Sequence, residues 1–176
     1  FEKLPGTSGI LGTQMQSVGE AMSIGRTFPE SLQKGLRSLE QGRWGLNCDP
    51  AESQYATLSD DELLQCTTVP TPERIFQVGE ALRRGLGIDR LHAMTGIDVW
   101  FLDQMQMIID ERDVIDGASI DELDRSQWRR LKRLGFSDAQ LAYALDTDEL
   151  IVRTARESHG VVPTFKTVDT CSAEFA

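Results

Sequence analysis

The residues best suited to metal ligation or nucleophilic attack are few. His92 and His159 stand far apart without HExxH spacing, and Cys48, Cys66 and Cys171 include no CxxC pair. No nucleophile elbow and no phosphate-binding glycine loop occurs. A lone histidine near a helix end acts as a cap or a surface group more readily than as a ligand. The carboxylates gather at helix starts, where the helix dipole favours them irrespective of function. The sequence therefore predicts no catalytic residue, no metal site and no cofactor within this chain.

A second constellation is apolar. In "TQMQSVGEAMSIGR" (13–26), helical spacing puts Met15, Val18, Gly19, Met22 and Gly25 along one side. A glycine inside a helix costs about 1 kcal/mol relative to alanine, so the missing side chains should yield something, and room is the obvious gain. That room serves either close helix packing, with methionine as adaptable filler, or a small apolar wall.

Paired short helices raise the possibility of nucleic-acid recognition, and a stand-alone helix-turn-helix regulator is the alternative to be weighed. Charge opposes it. The chain carries a formal −10, and residues 85–112, the best helical hairpin, carry −3. A surface facing phosphates should be basic. "RRLKR" (129–133) is the one basic cluster, on a helix whose other residues include Asp121, Glu122 and Asp124. Neither nucleic acid nor an anionic membrane is expected as a partner, and no apolar run reaches the ~18–20 residues of a membrane span.

The elements that must position these residues are short helices. A hydroxyl followed three residues later by Glu or Gln marks a capping box, and the spacing occurs at Thr13/Gln16, Thr27/Glu30, Ser59/Glu62, Ser119/Glu122 and Ser137/Gln140. The pattern predicts a helix from about Gln14 to Gly25 and a second with Pro29 in its first turn and Leu32, Leu36 and Leu39 on one face. Residues 43–58 show no period and read as a loop and domain boundary, with Trp44 and Tyr55 left for something absent from this chain. Trp100, Phe101, Met105 and Ile108 fit a core stripe. "LHAMTGIDVWF" (91–101) and "LAYALDTDELI" (141–151) form a faint repeat of helix, Asp-capped turn and helix. Only "VVPTFKTV" reads as extended. The fold class is all-α, a bundle of short helices with an extended C-terminal stretch.

Several collinear blocks carry a family resemblance. "FEKLPG" and "TQMQSVGEAMSIGRTFPESLQKGLRSLE", then "PERIFQVGEALRRG", "LHAMTGIDVWFLDQM", "LKRLGFSDAQLA" and "FKTVDTCSAEFA", resemble the large subunit of carbamoyl-phosphate synthetase over nearly the whole chain. The resemblance implies that residues 1–42 close the carboxyphosphate (ATP-grasp) domain, 43–160 form the helical oligomerisation domain, and 161–176 lead toward the second synthetase half. It implies a parent ligase that makes carbamoyl phosphate from glutamine or ammonia, bicarbonate and ATP for arginine and pyrimidine synthesis. ATP and Mg or Mn would serve the parent, not this stretch. Expected partners are the rest of the large subunit, the glutaminase small subunit and further copies of the chain. Met15 and Val18 match positions lining the family's carbamate route, extending to Gly19 and Met22 as a wall that keeps a labile intermediate from water. Leu63 and Leu64 are the expected interface contacts. Gly12 stands where the family usually has threonine and Gln16 where lysine is common, and the acidic residue expected after "PG" is missing.

The termini read as those of a fragment. An odd cysteine count and no N-terminal apolar run predict a reduced, cytoplasmic setting.

Overall fold

The computed structural model describes residues 6, 8–13, 21–39 and 41–168. Among them the regular structure is helical throughout, with no strand. Helix α1 (Phe28–Ser38) begins where Thr27 Oγ1 accepts from the Glu30 amide at 3.4 Å, with Pro29 in the first turn. The Glu30 carboxylate accepts from the Arg26 amide and from Lys34, so this box is only half formed. The helix expected from Gln14 to Gly25 is corrected where it is described: residues 21–25 carry no helix, and 14–20 lie outside the described residues. Gly25 matters for another reason. A side chain there would put Cβ 2.6 Å from the Ser31 amide nitrogen, so only glycine lets the incoming strand of chain cross the first turn of α1.

Residues 43–58 form a loop as expected, but its first half is buried. Leu46, Cys48, Asp49 and Tyr55 are buried, and a 3-10 turn spans Pro50–Tyr55. Pattern reading finds the loop and misses its burial, because irregular backbone has no period that marks a covered face. Gln33 and Gln140 hold it. The Gln33 Oε1 accepts from the Leu46 amide at 3.2 Å and from Gln140 Nε2 at 2.9 Å, and Gln140 Nε2 also donates to the Asn47 carbonyl. Gln33 Nε2 reaches the Leu134 carbonyl, and Arg37 donates to the Trp44 and Gly135 carbonyls. Gly45 sits against this node with no room for Cβ, which would lie 2.3 Å from both glutamine side chains. Helix α1 is thus tied into the body that the sequence assigned to residues beyond 42.

Helices α2 (Asp60–Thr67), α3 (Arg74–Arg83), α4 (Ile88–Thr95) and α5 (Val99–Ile115) pack on one another, with α1 against α5. Helices α6 (Arg125–Arg133), α7 (Asp138–Ala144) and α8 (Glu149–Ser158) complete the bundle, after a 3-10 turn at Ile120–Glu122. Trp128, Phe136, Leu91, Leu102, Ile108 and Leu141 are among its fully buried side chains. Residues 161–168 continue without regular structure, as the sequence predicts.

The faint repeat is a structural one. Asp98 Oδ1 accepts from the Trp100 amide at 2.9 Å, and Asp148 Oδ1 from the Leu150 amide at 2.7 Å. The turn before each cap contains a left-handed residue at the same position, Gly96 in the first and Asp146 in the second. Leu91 and Leu141 are buried alike, as are Leu102 and Val152.

Candidate interaction surface

The groups best suited to chemistry prove structural. His92 Nδ1 lies 2.7 Å from the Ile97 carbonyl at the end of α4, and His159 Nδ1 lies 2.8 Å from the Ala155 carbonyl at the end of α8. Cys48 is buried, and burial pushes its thiol far above the ordinary range, which removes the nucleophilic thiolate. Among the described residues no three His, Cys, Asp or Glu side chains group as a metal site. Cys171 lies outside them.

The predicted site residues divide in three. Met15, Val18 and Gly19 lie outside the described residues. Met22 is 79% exposed, on a described stretch (21–25) without helix, and nothing among the described residues packs over it. Leu63 and Leu64 are buried to 0% and 1% and belong to the core beneath α2, which corrects their assignment as surface contacts. The helix that "DDELLQC" forms is short, and its two leucines are the only large apolar groups available to attach it.

The aromatic expectations invert. Trp44 packs edge-to-face on Tyr143, and buried Tyr55 donates its hydroxyl to Glu73, so both are satisfied within the chain. Trp100 and Phe101, expected in the core with Met105 and Ile108, remain 50% and 43% exposed, whereas the other two are buried. They stack with Phe28 in a trio of edge-on rings with centroids 5.0 to 5.5 Å apart. The sequence signal that could have separated them is the Asp98 cap: residues in the first turn after a cap lie at the end of the helix, where the bundle no longer covers them.

Beside the trio a cleft of about 770 Å³ opens between the start of α1, the middle of α5 and α6. Thr27 and Pro29 form one lip, Gln104, Met107 and Asp110 the wall, and Arg125, Arg129, Arg130 and Arg133 the opposite side. Arg130 pairs with Glu111, whose carboxyl burial pushes up against the pull of that arginine. Among the described residues the other three arginines have no carboxylate partner within ion-pair distance. Lys132, of the same basic cluster, turns inward instead. It donates to the Phe136 carbonyl at 2.7 Å and to Asp138 at 2.9 Å, and burial pushes its ammonium below the usual lysine range. Asp138 also accepts from Arg156. Burial alone would raise its carboxyl, but the hydrogen bonds from Arg156 and Lys132 hold it below the usual carboxylate range.

This arrangement, a cluster of half-exposed aromatics beside a basic concavity, has the composition of a binding surface. A family model described as carbamoyl-phosphate synthetase large chain, oligomerisation domain, matches residues 20–160. The chain is 47% identical over 99% of its length to a carbamoyl phosphate synthase large chain of Nostoc, covering 16% of that protein. It is 49% identical to the corresponding chain of Deinococcus deserti, again over 99% of its own length and 16% of the relative's. An arginine-specific, chloroplastic large chain of Arabidopsis thaliana is 43% identical over 99% of this chain and 15% of its own length. The chain thus spans about one sixth of the curated relatives it matches. Nothing in these comparisons supports a nucleic-acid regulator.

Proposed function

This chain belongs to the family of the carbamoyl-phosphate synthetase large chain, oligomerisation domain, and we propose that it serves as the helical connector and assembly module of such a large chain. The single observation carrying this reading is the trio of Phe28, Trp100 and Phe101, two of them about half exposed, on a bundle with no catalytic constellation among its described residues. Large rigid aromatics gathered at a surface are typical anchors of protein contacts. On this reading the parent enzyme makes carbamoyl phosphate from glutamine or ammonia, bicarbonate and ATP, feeding arginine and pyrimidine synthesis. The rest of the large chain, a glutaminase small subunit and further copies of the chain are its partners. ATP with Mg or Mn belongs to parts of the large chain beyond these residues, and this bundle contributes no chemical step. The helices transmit position: α1 is fixed to the bundle by Gln33 and Arg37, so whatever precedes Thr27 is held at a set distance from whatever follows residue 160.

Within the same reading, Met15, Val18 and Gly19 line part of a carbamate route just before α1. The whole is tested in a full-length large chain. Trp100→Asp together with Phe101→Asp should shift sedimentation toward smaller or more extended species, and Val18→Trp should uncouple ATP consumption from carbamoyl phosphate output. Unchanged sedimentation would overturn the assembly role, and unchanged coupling the channel role.

A further inference from the structure

The cleft between α1, α5 and α6 presents a mosaic, not a uniform charge. Arg125, Arg129 and Arg133 recur every four residues and so stand above one another on one side of α6. Facing them from α5 are Asp110, whose carboxylate accepts from Gln106 at 2.7 Å, and the half-exposed side chain of Met107; buried Leu134, at the end of α6, closes the cleft on the arginines' own side. Three cations without a carboxylate partner among the described residues, on a chain of formal charge −10, mark a place where carboxylates are wanted. The guanidiniums are open to water, and Asp110 and Glu111 lie on or under the cleft wall, which disfavours a compact polyanion that would feel those carboxylates as strongly as the arginines. A polypeptide can distribute its charges to match: carboxylates toward α6, an apolar side chain on Met107, and a donor toward Asp110.

We propose that this cleft seats an acidic, amphipathic polypeptide segment from elsewhere in the same large chain. The inference rests on the reading above that the bundle is built into a larger chain. It commits to the same chain for a geometric reason. One lip of the cleft is Thr27–Pro29, where the polypeptide passes into α1, and the aromatic trio adjoins that lip through Phe28. A segment attached to the same polypeptide meets the cleft intramolecularly, so weak, water-exposed ion pairs need not supply the full cost of bringing two separate molecules together.

The test uses the full-length large chain with Met107→p-benzoylphenylalanine, a half-exposed position in the cleft wall, irradiated and digested for mass analysis. The expected result is a cross-linked product of single-chain mass, joined to a peptide outside residues 1–176 whose Asp and Glu outnumber its Lys and Arg. Its yield should fall about tenfold when Arg129→Glu and Arg133→Glu are added, and persist with Arg129→Lys and Arg133→Lys, which keeps loss of folding apart from loss of charge. A product of doubled mass, a neutral or basic peptide, or no peptide at all would overturn the proposal. Tripolyphosphate binding that is lost on charge reversal, with no peptide cross-link, would assign the cleft to a small anion instead. Sedimentation of the Trp100 and Phe101 variants reads the assembly role separately, so either idea can fail alone.

Discussion

The partly buried Asp138 shows how single residues in this chain spend their charge on architecture. It takes hydrogen bonds from Lys132 of α6 and Arg156 of α8 while itself starting α7, so three helices converge on one carboxylate. Asp138→Asn keeps the shape but leaves two largely buried cations facing a neutral amide, a loss of about 3 kcal/mol at neutral pH by analogy with other broken buried pairs. Because the folded carboxyl lies below its ordinary value, the stabilisation is fully present above that ordinary value, near about pH 4, and is lost as pH falls through the folded value. The stability gap between Asp138→Asn and the parent chain should therefore be constant through neutral pH and close in acid. Denaturant titrations at several pH values measure it, and a gap that persists in strong acid would show that geometry, not ionisation, is what Asp138 supplies. None of this was apparent from spacing, because Lys132 sits inside a basic run that looks solvated when read along the chain.

At the scale of elements, caps were readable and faces were not. Ser59/Glu62 and Ser137/Gln140 form reciprocal boxes as their spacing predicts, since the motif is local and its bonds close within four residues. Asp124/Gln127 forms another that a search for hydroxyls alone misses. Which face of a helix is covered depends on partners far along the chain, and so Leu63, Leu64, Trp100 and Phe101 were each placed on the wrong side. The helical hairpin repeat gives the sharpest comparison between elements. Its two turns share a left-handed position, occupied by Gly96 at φ 70° and by Asp146 at φ 48°. Glycine tolerates that region without strain whereas aspartate does so at some cost, so Asp146→Gly should raise stability, by about 0.5–1 kcal/mol after the entropy glycine adds to the unfolded chain is deducted. A thermal melt checks it. A fall in melting temperature would mean that unfolded-state entropy outweighs the relieved strain.

For the whole molecule, the decisive question is whether α1 belongs to the bundle or to what precedes it. Sequence pattern drew the boundary at residue 42 because the run after it lacks periodicity, yet residues 43–49 at its start are almost all buried. The family match, which begins at residue 20 and crosses the boundary without interruption, follows the packing instead. Energetics make the point testable. Helix α1 contributes the buried side chain of Leu36, worth about 2 kcal/mol, and six hydrogen bonds from Gln33 and Arg37, each worth about 1 kcal/mol net. Those contributions together are comparable with the entire stability of a small domain, about 5–15 kcal/mol. A polypeptide of residues 43–168 should accordingly show no cooperative thermal transition, whereas residues 21–168 should unfold in one step. Equal melting temperatures for the two would mean that the glutamine node is dispensable and that the bundle closes without its first helix. The same result would undo the rigid coupling on which the connector role depends, because a helix that can leave the bundle at no cost cannot hold the two flanking parts of a large chain in register.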